Sequence, residues 1–279
     1  MQTFDAIIIG AGQAGPSLAG RLTAAGKKVA LIERKLVGGT CVNTGCMPTK
    51  AMVASAYAAH LARRGAEYGV VTGDVSIDFA KVMARKDKVR FDARKGNEDW
   101  LNGMEGLTFL RGHARFESPT QIRVGDDLLS AKQVFLNVGG RAVVPDFPGV
   151  GDVPYLDNVS MMDLTEVPKH LVVIGGSYIG LEFAQMFRRF GSEVTVIEKG
   201  PRLIAREDED VSTAVRDILE REGIQIRTGA ECIRFFRQES GVGVGVDCTA
   251  GAPEIIGSHI LLATGRRPNT DDLGLDTAG

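Results

Sequence analysis

Short apolar runs closed off by glycine set the rhythm of the chain. Ala6-Ile-Ile-Ile9 is one such run, and it leads into Gly10-Ala-Gly12-Gln-Ala-Gly15. A helical pattern over residues 16–25, then Gly26 and a second apolar run, Val29-Ala-Leu-Ile-Glu33, complete a strand, a helix and a strand. The same order recurs as Leu171-Val-Val-Ile174, Gly175-Gly-Ser-Tyr-Ile-Gly180, a helical stretch over 181–190, Gly191, and Val194-Thr-Val-Ile-Glu198. Gly10 to Gly175 and Glu33 to Glu198 are both steps of 165 positions, so turn and acid recur with one internal spacing.

Each unit has the form of a dinucleotide-binding βαβ. Gly10 makes the tight turn, Gly12 lets backbone approach a pyrophosphate, and Gly15 lets the helix pack closely on the strand. Phosphates at the helix N-terminus meet free N–H groups and the positive end of the macrodipole. Pro16 falls in the first turn, where its missing N–H is harmless. Glu33 and Glu198, each closing a second strand, stand where an acid accepts hydrogen bonds from a ribose hydroxyl. In the second copy the middle glycine is Ser177, which limits backbone approach there.

Between the copies, residues 78–100 predict a charged surface helix and 107–138 several short strands. Two prolines and a glycine in 143–150 suit a linker, which puts a domain boundary near residue 150. Strands are expected at 224–226, 231–237, 242–248 and 259–263, broken by polar turns around 238–241 and 249–257. The expectation is an α/β chain of two Rossmann-like, three-layer dinucleotide-binding domains, 1–150 and 151–270, with 271–279 returning toward the first.

Composition narrows the class. With 279 residues, 33 Lys+Arg against 35 Asp+Glu, a net charge of −2 and 44% hydrophobic residues, the chain is an ordinary globular protein, neither disordered nor collagen-like. Near-neutral charge argues against nucleic-acid binding. Met1-Gln-Thr-Phe-Asp5 lacks a positive leader region, and no uncharged apolar run reaches the roughly 18 residues that a membrane span needs. A cytoplasmic location is expected.

The chemistry concentrates in Gly38-Gly-Thr-Cys41-Val-Asn-Thr-Gly-Cys46-Met-Pro-Thr-Lys50, ahead of a helical stretch over 51–66. Four intervening residues let Cys41 and Cys46 approach disulfide range if the loop turns back, and Gly45 and Pro48 suit such a loop. Cys46 lies just before the expected helix start, where the dipole stabilises a thiolate. A structural cysteine pair or half a zinc site is the alternative. Zinc needs four ligands, and neither Cys232, Cys248 nor any histidine offers a second closely spaced pair, so no metal is assigned. Cys232 and Cys248, isolated in strand-like runs, read as small core residues.

At these residues the chain resembles the pyridine nucleotide–disulfide oxidoreductases, the family of glutathione reductase, dihydrolipoamide dehydrogenase and mercuric reductase. The resemblance rests on the Gly38 to Lys50 motif, both dinucleotide turns, Tyr178-Ile-Gly-Leu-Glu182 and Ala263-Thr-Gly-Arg-Arg-Pro-Asn-Thr270, in the family order and across the whole chain. Thr44-Gly-Cys-Met-Pro-Thr-Lys50 through Tyr68-Gly-Val70, and Arg206-Glu-Asp208, look most like mercuric reductase.

The resemblance implies a glutathione reductase-like fold that carries electrons from NAD(P)H through FAD to a Cys41–Cys46 disulfide and on to a small-molecule or metal-ion acceptor. Cys46 becomes the thiol nearest the flavin and Cys41 the interchange thiol. Lys50 lies near the flavin and pairs with Glu182, while Tyr178 covers the nicotinamide pocket. Gly39 and Thr40 join Gly10, Gly12, Gly15 and Glu33 in holding FAD. Gly112, His113, Ala114 and Gly139 contact FAD mainly through backbone, and no catalytic role falls to the His113 side chain. At Asn137-Val138-Gly139 the usual Ala-Thr-Gly is altered, which withdraws a side-chain contact from Val138. Gly175, Gly176, Ser177, Ile179, Gly180, Glu198, Lys199, Gly265 and Arg266 are the nicotinamide-dinucleotide residues implied. Glu198 favours NADH by repelling a 2′-phosphate, whereas nearby Lys199, Arg202 and Arg206 and the likeness to mercuric reductase favour NADPH.

Family members continue past this motif with a second FAD-binding segment and a dimerisation domain bearing a catalytic His and Glu, and they form homodimers. The sequence ends at Gly279, nine residues beyond Thr270, and those parts are not in it. The expectation is therefore either a fragment or a chain whose function has changed, with an acceptor that rests on resemblance. The alternatives are a dihydrolipoyl dehydrogenase and a non-catalytic nucleotide-binding redox sensor.

Overall fold

Both strand–helix–strand units form where the glycine-bounded apolar runs lie. In the first, β1 (Gln2–Ile9), α1 (Ala14–Ala24) and β2 (Val29–Glu33) follow one another. A short helix α2 (Gly39–Asn43), the long α3 (Cys46–Arg63) and α4 (Phe79–Asn102), and strands β3 (Leu107–Arg111), β4 (Ala114–Ser118), β5 (Gln121–Val124), β6 (Asp127–Leu136) and β7 (Gly140–Ala142) come next. The second βαβ is β8 (His170–Ile174), α5 (Tyr178–Phe190) and β9 (Glu193–Ile197). It is followed by α6 (Glu209–Arg221), β10 (Gln225–Arg227), β11 (Arg234–Gln238), β12 (Gly241–Gly245), β13 (Glu254–Gly257), β14 (His259–Leu262), β15 (Arg266–Pro268) and α7 (Leu275–Ala278). The computed structural model describes residues 1–239 and 241–279; Ser240, in the turn expected at 238–241, lies outside the described residues.

Packing divides the chain into two units: Met1–Thr49, Lys86–Arg141 and Arg267–Gly279 form one, and Lys50–Arg85 and Ala142–Arg266 the other. The units are discontinuous in sequence, where the linear reading puts one boundary near residue 150. Lys50–Arg85 joins the second unit because its Met52, Ala56, Phe79 and Met83 bury against Phe183, Phe187 and Phe190 of α5. Phe187 and Phe190 meet edge to face at 5.8 Å, the geometry aromatic quadrupoles favour.

The first unit holds a six-stranded sheet in the order β3-β2-β1-β6-β5-β4, parallel through β6 and antiparallel beyond. Alternation along β1 sends its side chains to opposite faces. Ile7 and Ile9 join Ile32, Phe116, Ile122 and Leu129 on one side, and Ile8 joins Leu31, Ala19 and Leu101 on the other. In the second unit a parallel sheet, β10-β9-β8-β14, accompanies an antiparallel β11-β12-β13 meander.

Several elements depart from expectation. α3 begins at Cys46 instead of residue 51, because Pro48 is tolerated in a first helical turn. α4 is not wholly a surface helix, since Lys86 is 1% and Leu101 1% exposed. α6 has no counterpart among the expected elements, although Asp208, Glu209 and Asp210 at its start and Arg221 at its end are ordinary helix signals. β13 occupies part of the stretch read as a turn at 249–257. No helix among the described residues is long and apolar enough to cross a membrane.

Candidate redox and dinucleotide sites

The two dinucleotide turns are built alike. The Gly10 N–H donates to the Ile32 carbonyl and the Gly175 N–H to that of Ile197, both at 2.8 Å. Glu33 Oε2 accepts from the Ala11 N–H at 2.8 Å and its Oε1 from the Lys35 N–H at 2.7 Å. Glu198 repeats this, with Oε2 accepting from Gly176 and Oε1 from Gly200, both at 2.6 Å. The acids thus brace the turns from the ends of β2 and β9.

Gly10 and Gly175 have φ of +107° and +114°, and a Cβ would lie 2.2 Å from the Asn137 carbonyl oxygen or 2.4 Å from that of Ala263. Gly15 and Gly180 are required for a different reason: a Cβ would stand 2.1 or 2.2 Å from the carbonyl oxygen of Gly10 or Gly175, where helix crosses turn. Neither α1 nor α5 has a side-chain hydrogen bond at its N-cap, Gln13 or Ser177, so the first-turn N–H groups remain available to an anion. Ser177 is extended and exposed, and Ile179 is 39% exposed on α5. Lys199 is exposed in the bend after β9. Gly265 accepts the Val143 N–H at 3.0 Å, and Arg266 donates to Asn158 at 3.3 Å.

In the first unit the cysteine loop abuts its dinucleotide turn. The Gly38 N–H donates to the Ala11 carbonyl at 2.8 Å, and a Cβ on Gly39 would lie 2.9 Å from Gly12 Cα. Thr40 and Cys41 sit on α2, with Thr40 exposed, and Cys46 opens α3. Asn43, a residue absent from the expected set, is buried and braces the loop through Nδ2 to the carbonyls of Val37 (2.9 Å) and Gly39 (3.0 Å).

Cys41 and Cys46 are free cysteines in this structure, the dithiol form of the pair. Burial, then a side-chain hydrogen bond with Cys46, pushes the Cys41 thiol up to about 11 against the pull of the Cys46 and Met47 backbone N–H groups. The sulfur facing the start of α3 is therefore that of Cys41. Cys46 is the exposed member of the pair. The disulfide among the described residues joins Cys232 and Cys248, with Cα atoms 5.8 Å apart. This overturns their reading as core residues. Both sit in turns outside β11 and β12, with Cys248 exposed, and each donates its N–H to the other's sulfur at 3.2 and 3.0 Å.

Gly112 donates its N–H to the Glu33 carbonyl at 3.0 Å, and Ala114 is buried at the start of β4. The His113 ring engages the Asp272 carbonyl oxygen at 2.7 Å, a tether to the last segment of the first unit. Gly139 accepts the Asn269 N–H at 3.0 Å. In the second unit the Lys50 ammonium donates to the Glu182 carboxylate, as the motif implies. Their side chains are 66% and 29% exposed, so the pair orients more than it stabilises, contributing about 0–1 kcal/mol. The Tyr178 hydroxyl donates to Glu207, which raises its pKa. Glu207 was given no site role, although it is the middle residue of the Arg206-Glu-Asp208 stretch that carries part of the resemblance.

Whether these residues fit a bound flavin nucleotide can be tested on their unpartnered atoms. Asn43 Oδ1 and Asn137 Nδ2 are buried without a hydrogen-bond partner. Asn43 belongs to the cysteine loop, and the Asn137 carbonyl touches the Gly10 turn. A buried acceptor and a buried donor beside an open glycine turn suit a polar dinucleotide. Among the described residues no group of three or more His, Cys, Asp or Glu side chains is placed to hold a metal ion.

Comparison with known proteins follows the same lines. A family model described as "Pyridine nucleotide-disulphide oxidoreductase" matches residues 4–279. A mercuric reductase of Bacillus cereus is 35% identical over 278 residues, 99% of this chain and 44% of that protein. A dihydrolipoyl dehydrogenase of Thermus scotoductus is 36% identical over 283 residues, all of this chain and 60% of its own. Among solved structures, the Cu(II) complex of the HOCl-induced flavoprotein disulfide reductase RclA from Escherichia coli superposes with a TM-score of 0.87 at 34% identity, covering 100% of this chain and 60% of that one. The chain spans about half the length of these curated relatives.

Proposed function

The chain belongs to the pyridine nucleotide–disulfide oxidoreductases, a family that uses FAD and NAD(P)H, and on that premise we propose that it serves an NAD(P)H:disulfide oxidoreductase of the mercuric reductase-like kind. The observation that carries this reading is the thiol pair, Cys41 and Cys46, on a loop whose Gly38 N–H bonds the dinucleotide turn.

Bound FAD supplies two-electron transfer between a nicotinamide and a thiol pair. The glycine turn, the α1 N-terminus, Glu33, the Asn43 Oδ1 and the Asn137 Nδ2 are the groups that would hold it. The reaction proper belongs to the thiols. Cys41 and Cys46 together give up two protons and two electrons as their S–S bond forms, and an acceptor takes the two electrons. Cys41 keeps its proton near neutral pH; the resemblance assigns Cys46 to the flavin side and Cys41 to exchange with the acceptor. Lys50, one helical turn beyond Cys46, is fixed by Glu182 and places a positive charge along α3. Such a cation favours a reduced, anionic partner.

For the nicotinamide cofactor the reading favours NADH. Glu198 is an acid at the ribose position, where its charge repels a 2′-phosphate. Likeness to mercuric reductases supports Hg(II) as acceptor, and likeness to dihydrolipoyl dehydrogenases supports lipoamide as the second choice. A homodimer, from the resemblance, and the cytoplasmic location expected from the sequence complete the proposal.

The test is to reconstitute the 279-residue chain with FAD, add NADH or NADPH anaerobically and record the visible spectrum. Flavin bleaching with a long-wavelength shoulder, lost in Cys46→Ser, is the expected result. Bound yellow flavin that neither nicotinamide bleaches overturns the proposal.

A further inference from the structure

Three helices of the second unit end around one cavity of about 770 Å³, formed by the last turns of α3, α5 and α6 and the turn after α3. Five arginines line it, Arg63, Arg64, Arg188, Arg189 and Arg221, against two carboxylates, Glu67 and Glu222.

Both carboxylates are already taken. Glu67 binds Arg64 through two N–H groups at 2.9 and 2.5 Å. Glu222 receives Arg189 at 2.8 and 2.6 Å and the Gln185 amide at 2.8 Å. Burial works against its charge, but Arg189 and Gln185 outweigh it and hold Glu222 below the usual carboxylate range.

The other three arginines meet only carbonyl oxygens. Arg63 donates to Arg189 at 2.5 Å, Arg188 to Glu222 and Ser192 at 2.9 and 3.1 Å, and Arg221 to Asp217 at 3.1 Å. Among the described residues none of the three has a carboxylate within ion-pair distance, and a guanidinium carries five N–H donors, most of them still unused.

The ordinary role of a cation at a helix C-terminus is to offset the macrodipole, and these arginines do that. Three helix ends supply roughly half a negative charge each, which leaves part of the three-charge surplus uncompensated. A concave wall focuses what remains, and planar guanidinium forks match phosphate oxygens two at a time.

We propose that this cavity binds a small, multiply charged oxyanion of the phosphate class, gripped by Arg63, Arg188 and Arg221. It is distinct from the nicotinamide-dinucleotide turn: that turn lies at the N-terminal end of α5 and the cavity at the C-terminal end, 13 residues away, or about 20 Å of helix.

Labelling with an arginine-specific dicarbonyl, read peptide by peptide in a mass spectrometer, tests this on the unmodified 279-residue chain. Inorganic phosphate, pyrophosphate and ADP are compared with sodium chloride at matched ionic strength. At a ligand concentration about ten times Kd, labelling of Arg63 and Arg221 slows about tenfold, while Arg115, exposed on the first unit, is unchanged. Stronger protection by ADP identifies a nucleotide as the source, and equal protection by pyrophosphate a free polyphosphate. No protection by any of the three, or equal slowing at Arg115, overturns the proposal.

Discussion

The Glu198 carboxylate accepts the Gly176 N–H at 2.6 Å, tying the second dinucleotide turn to the end of the strand that follows its helix. An acid so placed repels a ribose 2′-phosphate and accepts from a 2′-hydroxyl. Glu198→Gln keeps an acceptor and removes the charge. The ratio of NADPH to NADH affinity is expected to rise about tenfold, measured by fluorescence titration of each nucleotide; an unchanged ratio removes Glu198 from cofactor choice.

The thiols of the Gly38 to Lys50 loop differ in reactivity. Cys41 stays protonated at neutral pH, with a pKa of about 11, while Cys46 is exposed. Iodoacetamide at pH 7 is expected to modify Cys46 well before Cys41, since the thiolate is the nucleophile. Peptide mapping over time checks the order, and faster labelling of Cys41 contradicts it.

Acid weakens the second unit through two groups that act in the same direction. His60 has a lowered pKa, from burial and then Arg189, so the folded state binds fewer protons than the unfolded chain around pH 6.5 and below. Glu222 has a lowered pKa, so the stability it contributes is present above the unfolded carboxylate value and is lost as pH falls through the folded one. The melting temperature is expected to drop from about pH 7 to pH 5 through His60 and further below about pH 4.5 through Glu222, and His60→Gln to flatten the upper part of that fall. A wild-type melting temperature that is constant over this range refutes the coupling.

Gly15→Ala places a methyl where only 2.1 Å separates it from the Gly10 carbonyl oxygen. Helix α1 must shift, at a cost of about 1–3 kcal/mol, and the phosphate-facing turn shifts with it. Loss of FAD retention together with a lower denaturation midpoint is the expected result. A variant that melts and binds flavin like the wild type shows that the helix yields freely.

The Cys232–Cys248 bridge closes a 16-residue separation at the end of the meander. Chain-entropy reasoning gives such a loop about 3 kcal/mol. Dithiothreitol is expected to lower the melting temperature of the wild type and to leave the Cys232→Ser/Cys248→Ser variant unaffected. Equal responses rule out a stabilising bridge.

Much of this was visible in the residues. The helix and strand limits of both βαβ units fall within a few residues of expectation, because apolar runs and glycines act locally. α6 left its signals in plain view, with Asp208 and Arg221 flanking a short apolar stripe of Val211, Val215, Ile218 and Leu219. β13 hid among glycine, proline and serine because its pairing with β12, not its composition, makes it a strand. The pairing of Lys50 with Glu182 was reached through motif likeness, since nothing within either segment signals a partner 132 positions away.

The amino-acid order by itself determined the doubled dinucleotide unit, its two braced acids and the cysteine loop, since each depends on backbone geometry within some thirty residues. Tertiary structure alone decided which cysteines are bonded, that Lys50–Arg85 packs under the phenylalanines of α5, and that five arginines gather at three helix ends. Those outcomes rest on burial and on charge meeting charge between distant segments. No local spacing encodes them; they arise only when the apolar faces close.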